Sequence, residues 1–293
     1  MRKSQAPLRI SFGGGGTDVP PYCGEYGGVC LSVAIEKYAY ADYVDENTEP
    51  NEMEQGIAKL WNSKCRVKIS SDVKPGSGLG GSAALCVAGL KVMPPLEDTP
   101  EVHVAEKAYE VERLHMGVVG GYQDQLAAAY GGLLYMQFGA WPSVRVKRLA
   151  IPKWFDDAFY LVWMGDRKTS GTNIITDQLQ RFNKKALDIT KHLANEMALS
   201  LDNPLDFGRL LREAWEIKKK FSPLVTSRKI DKFCDWVLDS GAIAMKICGA
   251  GSGGYAIVME NPISKGQLEL ALKDTEYEKV RFEKKGVRLI EED

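Results

Sequence analysis

The spacing of apolar and polar residues changes several times along the chain, and each change marks an element. Residues 7–13 are extended and mostly apolar. After the run of four glycines, "GGVCLSVAI" and "KYAYADYV" predict two more extended stretches, the second alternating aromatic and small residues at the period of a half-buried strand. Residues 45–64 are polar and predict an excursion, after which "CRVKISSDV" returns to strand with Val67 and Ile69 on one face. "KPGSGLGGSAALCVAGLKVM" predicts a glycine loop running into a helix of small residues. In "DTPEVHVAEKAYEVERLHMG", Thr99 is placed as N-cap, Pro100 as the first helical residue and Glu101 in the first turn. "YQDQLAAAYGG" predicts a short helix closed by Gly131 and Gly132, and "LLYMQF" a strand.

Between Pro142 and Pro152 the pattern shifts, predicting a boundary between domains at 1–150 and 151–293. The second part opens with the strand "FYLVWMG". Helices follow over 172–240, interrupted at Pro204 and Pro223, and "AIAMKICGAGSGGYAIVM" reads as strand, glycine turn and strand. Strands and helices mix without steady βαβ alternation, so the pattern predicts an α+β fold rather than a doubly wound parallel sheet.

Composition narrows the function. The formal net charge of −1 provides no overall field for nucleic acid or an anionic membrane. The basic run "KKK" at 218–220 is read as solvated helix face. The six cysteines (Cys23, Cys30, Cys65, Cys86, Cys234, Cys248) form no CxxC pair and show no metal-ligand spacing, which fits a reducing cytoplasm. The start lacks the apolar core of a signal peptide, and no apolar run reaches the ~18 residues that would span a bilayer. Neither nucleic acid nor membrane is expected as a partner, and a homodimer is left open.

The glycine loops carry the candidate chemistry. GxGxxG occurs twice, at Gly76, Gly78, Gly81 and at Gly249, Gly251, Gly254. A dinucleotide site would want a buried parallel strand before the loop and an acidic strand end about twenty residues later. Neither surrounds Gly76, and the GxxxxGK[ST] phosphate loop is absent. "PGSGLGGSAA" instead joins small residues, open amides and a helix N-terminus, a combination that favours an anion. Its hydroxyl at Ser82 is placed to reach a metal ion or a phosphate. A close helix–sheet contact would also call for small residues there.

Three segments, "APLRISFGGGGTD", "PGSGLGGSAA" and "KICGAGSGGYAIV", together resemble the three motifs of the GHMP kinase superfamily, in that family's order and across residues 6–258. Within it, "FGGGGTDVPPYCGEYGG" and "GGYQDQLAAAYGG" are most similar to the D-glycero-D-manno-heptose 7-phosphate kinases. The resemblance implies an N-terminal domain like domain 2 of ribosomal protein S5 and a ferredoxin-like C-terminal domain, with ATP and sugar meeting between them. It implies that Gly76, Ser77, Gly78, Leu79, Gly80, Gly81, Ser82 and Ala83 wrap the triphosphate of ATP. Ser82 and Glu112 would hold Mg2+, and Asp124 would be the catalytic base. Arg9 lies nine residues before Asp18, the family's interval between an arginine that spreads charge on the transferred group and a sugar-binding aspartate. Asp18, with Thr17 and Gly16, would then meet the sugar.

Two positions depart from the motifs: Gly81, where many members have a serine, and Ser252, which interrupts the third glycine run. For a distal phosphate on the sugar, Arg167, Lys168, Thr169, Ser170 and Arg228 are the candidates. The expected activity is phosphorylation of the anomeric C1 hydroxyl of a sugar phosphate. The alternatives are another sugar 1-kinase, of the fucose or galactose type, and a non-catalytic sensor of sugar and ATP.

Overall fold

The computed structural model describes residues 2–44, 49–60, 67–93 and 96–290; Cys65 and the start of the stretch "CRVKISSDV" lie outside them. The chain opens with β1 (Lys3–Gly13), a short helix α1 (Tyr22–Tyr26) and the long strand β2 (Gly28–Tyr43). The two extended stretches predicted in this last region are one strand, because β1 pairs along nearly its whole length from Asp42 to Leu31. Within the polar excursion, α2 (Glu52–Lys59) is secured by a capping box between Asn51 and Glu54. Next come β3 (Val67–Ser71), α3 (Gly81–Lys91), α4 (Glu101–Glu110), α5 (Gln123–Tyr130), β4 (Leu133–Phe138) and β5 (Val144–Leu149). Thr99 is not the cap of α4. Its N–H closes a 3-10 turn by bonding Leu96, and Pro100 itself occupies the cap position with extended backbone.

After β5 come α6 (Phe155–Ala158), β6 (Phe159–Trp163), α7 (Gly171–Arg181), α8 (Lys184–Leu199), α9 (Pro204–Lys218) and α10 (Arg228–Asp239). Asn203 caps α9, so Pro204 opens a helix at a position where its missing N–H costs nothing. The chain continues through β7 (Ala242–Ile247), β8 (Tyr255–Glu260), α11 (Gln267–Leu272), β9 (Tyr277–Lys279) and β10 (Arg288–Ile290).

Two antiparallel sheets result, as expected for an α+β fold. The first runs β10-β1-β2-β4-β5, with β3 paired to the far half of β2, and the second runs β7-β8-β6-β9. The predicted boundary at residue 150 falls between β5 and β6, yet one cut does not separate the sheets, because β10 returns to pair with β1. Phe12 of β1 packs against Phe155, Phe159 and Phe207 with ring centroids 5.1 to 5.5 Å apart, joining the two sheets through one aromatic core. A second core lies on the outer face of the smaller sheet, where Met245, Ile247 and Val258 meet Ile230 and Val237 of α10. No helix among the described residues is long and apolar enough to cross a membrane, and the five described cysteines are buried and free.

Candidate active site

A cleft of about 1400 Å³ opens between the sheets, reached by the first glycine run, the loop before α3, the start of α5 and the loop before α7. Lys74 to Gly81 line one side. Gly76, Gly78 and Gly80 have φ of +82°, +85° and +75°, a backbone that residues with a Cβ adopt only with strain. Gly80, in that left-handed conformation, precedes α3, and no side chain caps the helix. The amides of its first turn are therefore left for a ligand, and the helix dipole there favours an anion. Gly81, a departure from the family motif, is simply the first residue of α3.

The third glycine motif acts as a clamp on this loop. Tyr255 N–H donates to the Ser77 carbonyl at 2.8 Å, and a Cβ on Gly78 would lie 2.5 Å from the Cys248 carbonyl. Only glycines at Gly78 and Gly249 allow so close an approach. Ser252 adopts φ +69° within this turn, its N–H bonded to the Val225 carbonyl.

β1 brings Arg9 to the middle of the cleft. Its guanidinium grips Asp124 with two parallel bonds, Nε to Oδ1 at 2.8 Å and Nη2 to Oδ2 at 2.6 Å, while Nη1 donates to the Gly78 carbonyl at 2.7 Å. Asp124 stands in the first turn of α5, where a carboxylate is also favoured by the helix dipole. Each of its oxygens keeps a lone pair beyond the arginine bond.

Asp18 lies next to this pair with 3% of its surface exposed. It accepts from Gly16 N–H at 3.1 Å, from Gln123 N–H at 3.2 Å and from the Gln123 side-chain amide at 3.3 Å, with no cation as partner among the described residues. Burial, and then the charge of Asp124, hold its carboxyl above the ordinary carboxylate value. Gly121 must be glycine here, because a Cβ would collide with the Asp18 carboxylate.

Ser82 and Glu112 also meet, Ser82 Oγ donating to Glu112 Oε1 at 2.6 Å. α4 widens into a π turn over Val111–His115, a distortion that recurs at functional sites, and this turn carries Glu112. The Gln125 amide donates to the other Glu112 oxygen, leaving Gln125 Oε1 buried without a partner. Burial raises the Glu112 carboxyl above its usual value. A hydroxyl, a carboxylate and an orphaned amide oxygen are hard oxygen donors on the wall of the phosphate loop, and they fit a magnesium ion that takes its remaining ligands from phosphate and water.

The sequence reading is corrected at four points. Thr17 is fully buried and does not face the cleft. Its hydroxyl lies within bonding distance of the Gly14 and Val29 carbonyls and accepts from Val29 N–H, so it ties the glycine run to β2. Leu79 buries its side chain in the core and supplies only its carbonyl, to Arg9 N–H. Arg228 is an exposed residue at the start of α10, outside the cleft. The run 218–220 is not uniformly solvated, since Lys218 turns into the cleft and bonds the Gly249 carbonyl. Arg167, Lys168, Thr169 and Ser170 do line the cleft, as do Gly16, Ser77 and Ala83. The sequence reading overlooked Gln123 and Gln125, which hold Asp18 and Glu112, although their flanking of Asp124 was a usable signal.

The same architecture occurs in known proteins. Residues 42–132 match the GHMP kinases N terminal domain, and residues 197–277 match the GHMP kinases C terminal domain. The chain is 30% identical, over 98% of its own length and 98% of the relative's, to D-glycero-alpha-D-manno-heptose 7-phosphate kinase of Campylobacter jejuni. It superimposes with a TM-score of 0.79, at 25% identity and covering all of both chains, on a D-glycero-D-manno-heptose 1-phosphate kinase from Bacteriodes thetaiotaomicron. Galactokinase of Lactococcus lactis, solved with galactose, shares the fold at 16% identity with a TM-score of 0.70, over 98% of this chain and 94% of that one. In fold, motif order and sequence, the chain belongs to the GHMP kinase family.

Proposed function

We propose that the protein transfers the γ-phosphoryl group of ATP to the anomeric C1 hydroxyl of D-glycero-D-manno-heptose 7-phosphate, giving the 1,7-bisphosphate and ADP. The observation that carries this reading is the Arg9–Asp124 pair, held between the phosphate loop and the buried carboxylate of Asp18. The similarity to a heptose 7-phosphate kinase along almost the whole chain supports the choice of acceptor.

The residues divide the work by position. The loop from Gly76 to Ala83 and the open amides of α3 cradle the triphosphate. Asp18 accepts hydrogen bonds from sugar hydroxyls and, with Gly16 and Gln123, orients the ring. Asp124 takes the C1 hydroxyl proton as the oxygen attacks phosphorus, and the bond from phosphorus to the β–γ bridging oxygen breaks to release ADP. Arg9 fixes Asp124 and sets positive charge beside the group in transit, where positioning and charge dominate catalysis. Ser82 and Glu112 would hold magnesium, which would supply neutralisation of phosphate charge.

The test is turnover of ATP over a panel of heptose 7-phosphate, free heptose, mannose, fucose and galactose, with the new phosphate located by phosphorus NMR. Turnover confined to heptose 7-phosphate with phosphate at C1 is expected. Turnover of a free sugar would keep the mechanism and change the acceptor, and binding without turnover would make the protein a sensor.

A further inference from the structure

Beside the phosphate loop, where the turn between β7 and β8 lies on it, the cleft carries three cations that have no carboxylate as hydrogen-bonded or ion-pair partner among the described residues. Arg167 donates to the Cys248 carbonyl at 3.4 Å and leaves its Nε buried without a partner. Lys218 donates to the Gly249 carbonyl, and Lys246, 4% exposed, donates to the Ser11 carbonyl at 2.5 Å. These bonds satisfy single protons and leave the charge uncompensated. Arg9 stands nearby, but Asp124 already neutralises it.

The placement is unusual on two elements. Lys246 occupies an inward position of β7 beside Ala244, on the face that meets the first sheet, where alternation calls for an apolar residue. Lys218 follows Ala214 by one helical turn on the buried side of α9. Burial, reinforced by the neighbouring cations, pushes both ammonium groups below the ordinary lysine value, Lys246 to about 8. Burying unpaired charge is costly, so such a cluster facing a cleft is built to be completed by an anion.

We propose that Arg167, Lys218 and Lys246 form a second phosphate subsite beside the phosphate loop, which takes a phosphoryl dianion. This deepens the kinase reading and rests on it for the identity of the phosphate. Two phosphates have the required chemistry: the non-reacting phosphate of the acceptor and the γ-phosphate of the nucleotide.

Matched ligand pairs separate them. Binding to the wild-type protein and to Lys218→Met and Lys246→Met is measured by calorimetry for heptose 7-phosphate against free heptose, and for a non-hydrolysable ATP analogue against ADP. Losing a charge-assisted contact should weaken the phosphate-bearing member of one pair by about tenfold or more, while its partner changes little. The pair that responds identifies the source. A change in neither pair overturns the subsite.

Thermal unfolding with and without inorganic phosphate gives a readout that does not depend on which sugar is used. Lys246→Met should melt higher than wild type without ligand, since an unpaired buried charge is gone, and both methionine variants should lose the stabilisation by phosphate that wild type shows. A wild-type protein indifferent to phosphate would count against the subsite. Failure to turn over heptose 7-phosphate, with the nucleotide pair still discriminated, would overturn the acceptor alone.

Discussion

Asp124 and Asp18 are neighbouring carboxylates with opposite surroundings. Asp124 is held by a guanidinium and reaches the cleft, while Asp18 is buried on three N–H donors without a cation. We expect Asp124→Asn to lower kcat by about 10²- to 10⁴-fold while leaving ATP affinity nearly unchanged, as read by steady-state kinetics and calorimetry. Asp18→Asn should raise the KM for the sugar by about tenfold or more, because the hydroxyls lose a charged acceptor. It also has a pH signature. Since the folded protein holds the Asp18 proton above the ordinary carboxylate pKa, stability contributed by this group falls as pH rises from about 3.8 towards its raised value. The asparagine variant should flatten that fall in unfolding curves, even though its NH2 faces an N–H donor in either orientation. Arg9, Asp18, Ser82, Glu112 and Asp124 line one cleft, a grouping that the family resemblance implied and that residue type alone would not have given for Glu112. Thr17 was misassigned because a hydroxyl beside a glycine run serves loop or ligand equally well, and only burial decides between them.

At the scale of elements, the glycine loops come as an interlocking pair. The loop before α3 can hold its open shape because the turn between β7 and β8 lies directly on it, with Gly78 and Gly249 in near contact. Ser252 is the exception in that turn, with a left-handed backbone that costs a residue bearing a Cβ about 1–2 kcal/mol. Against the extra freedom glycine gains in the unfolded chain, Ser252→Gly should leave a small net gain, up to about 1 kcal/mol, measurable in denaturant unfolding. Strands that stand out as short apolar runs, such as β4 and β8, were legible. β5 was not, because as an edge strand it carries Arg145, Lys147 and Arg148 and reads as polar connection. Lys218 was hidden by the lysines that follow it, although Ala214 and Trp215 one turn earlier mark the buried side of α9.

For the molecule as a whole, the cleft exists because one chain builds two sheets and joins them through Phe12 and Lys246. The aromatic contacts hold the sheets together, and the lysine spans from β7 to β1 at the edge of the site. This makes global stability sensitive to alkali in an uncommon direction. Below about pH 8 the folded protein carries a buried ammonium at full cost. Between there and 10.5 the unfolded chain binds a proton that the folded state has released, so stability rises with pH. Lys246→Met should remove much of that rise in urea unfolding between pH 7.5 and about 9.5, Lys218 supplying the rest in the same direction. Sequence could place the three motifs in order and nominate Arg167, but not Lys218 and Lys246, which tertiary packing brings to it from α9 and β7.

The return of β10 to the first sheet bears on how the protein is born. During vectorial synthesis the ribosome releases β1 first, yet the outer edge of Lys3–Gln5 waits for residues 288–290. On the way, residues 281–287 bond to β2 and the end of α5. Until those residues emerge, the nascent N-terminal half presents an unpaired edge strand, the surface on which chains aggregate and which chaperones shield.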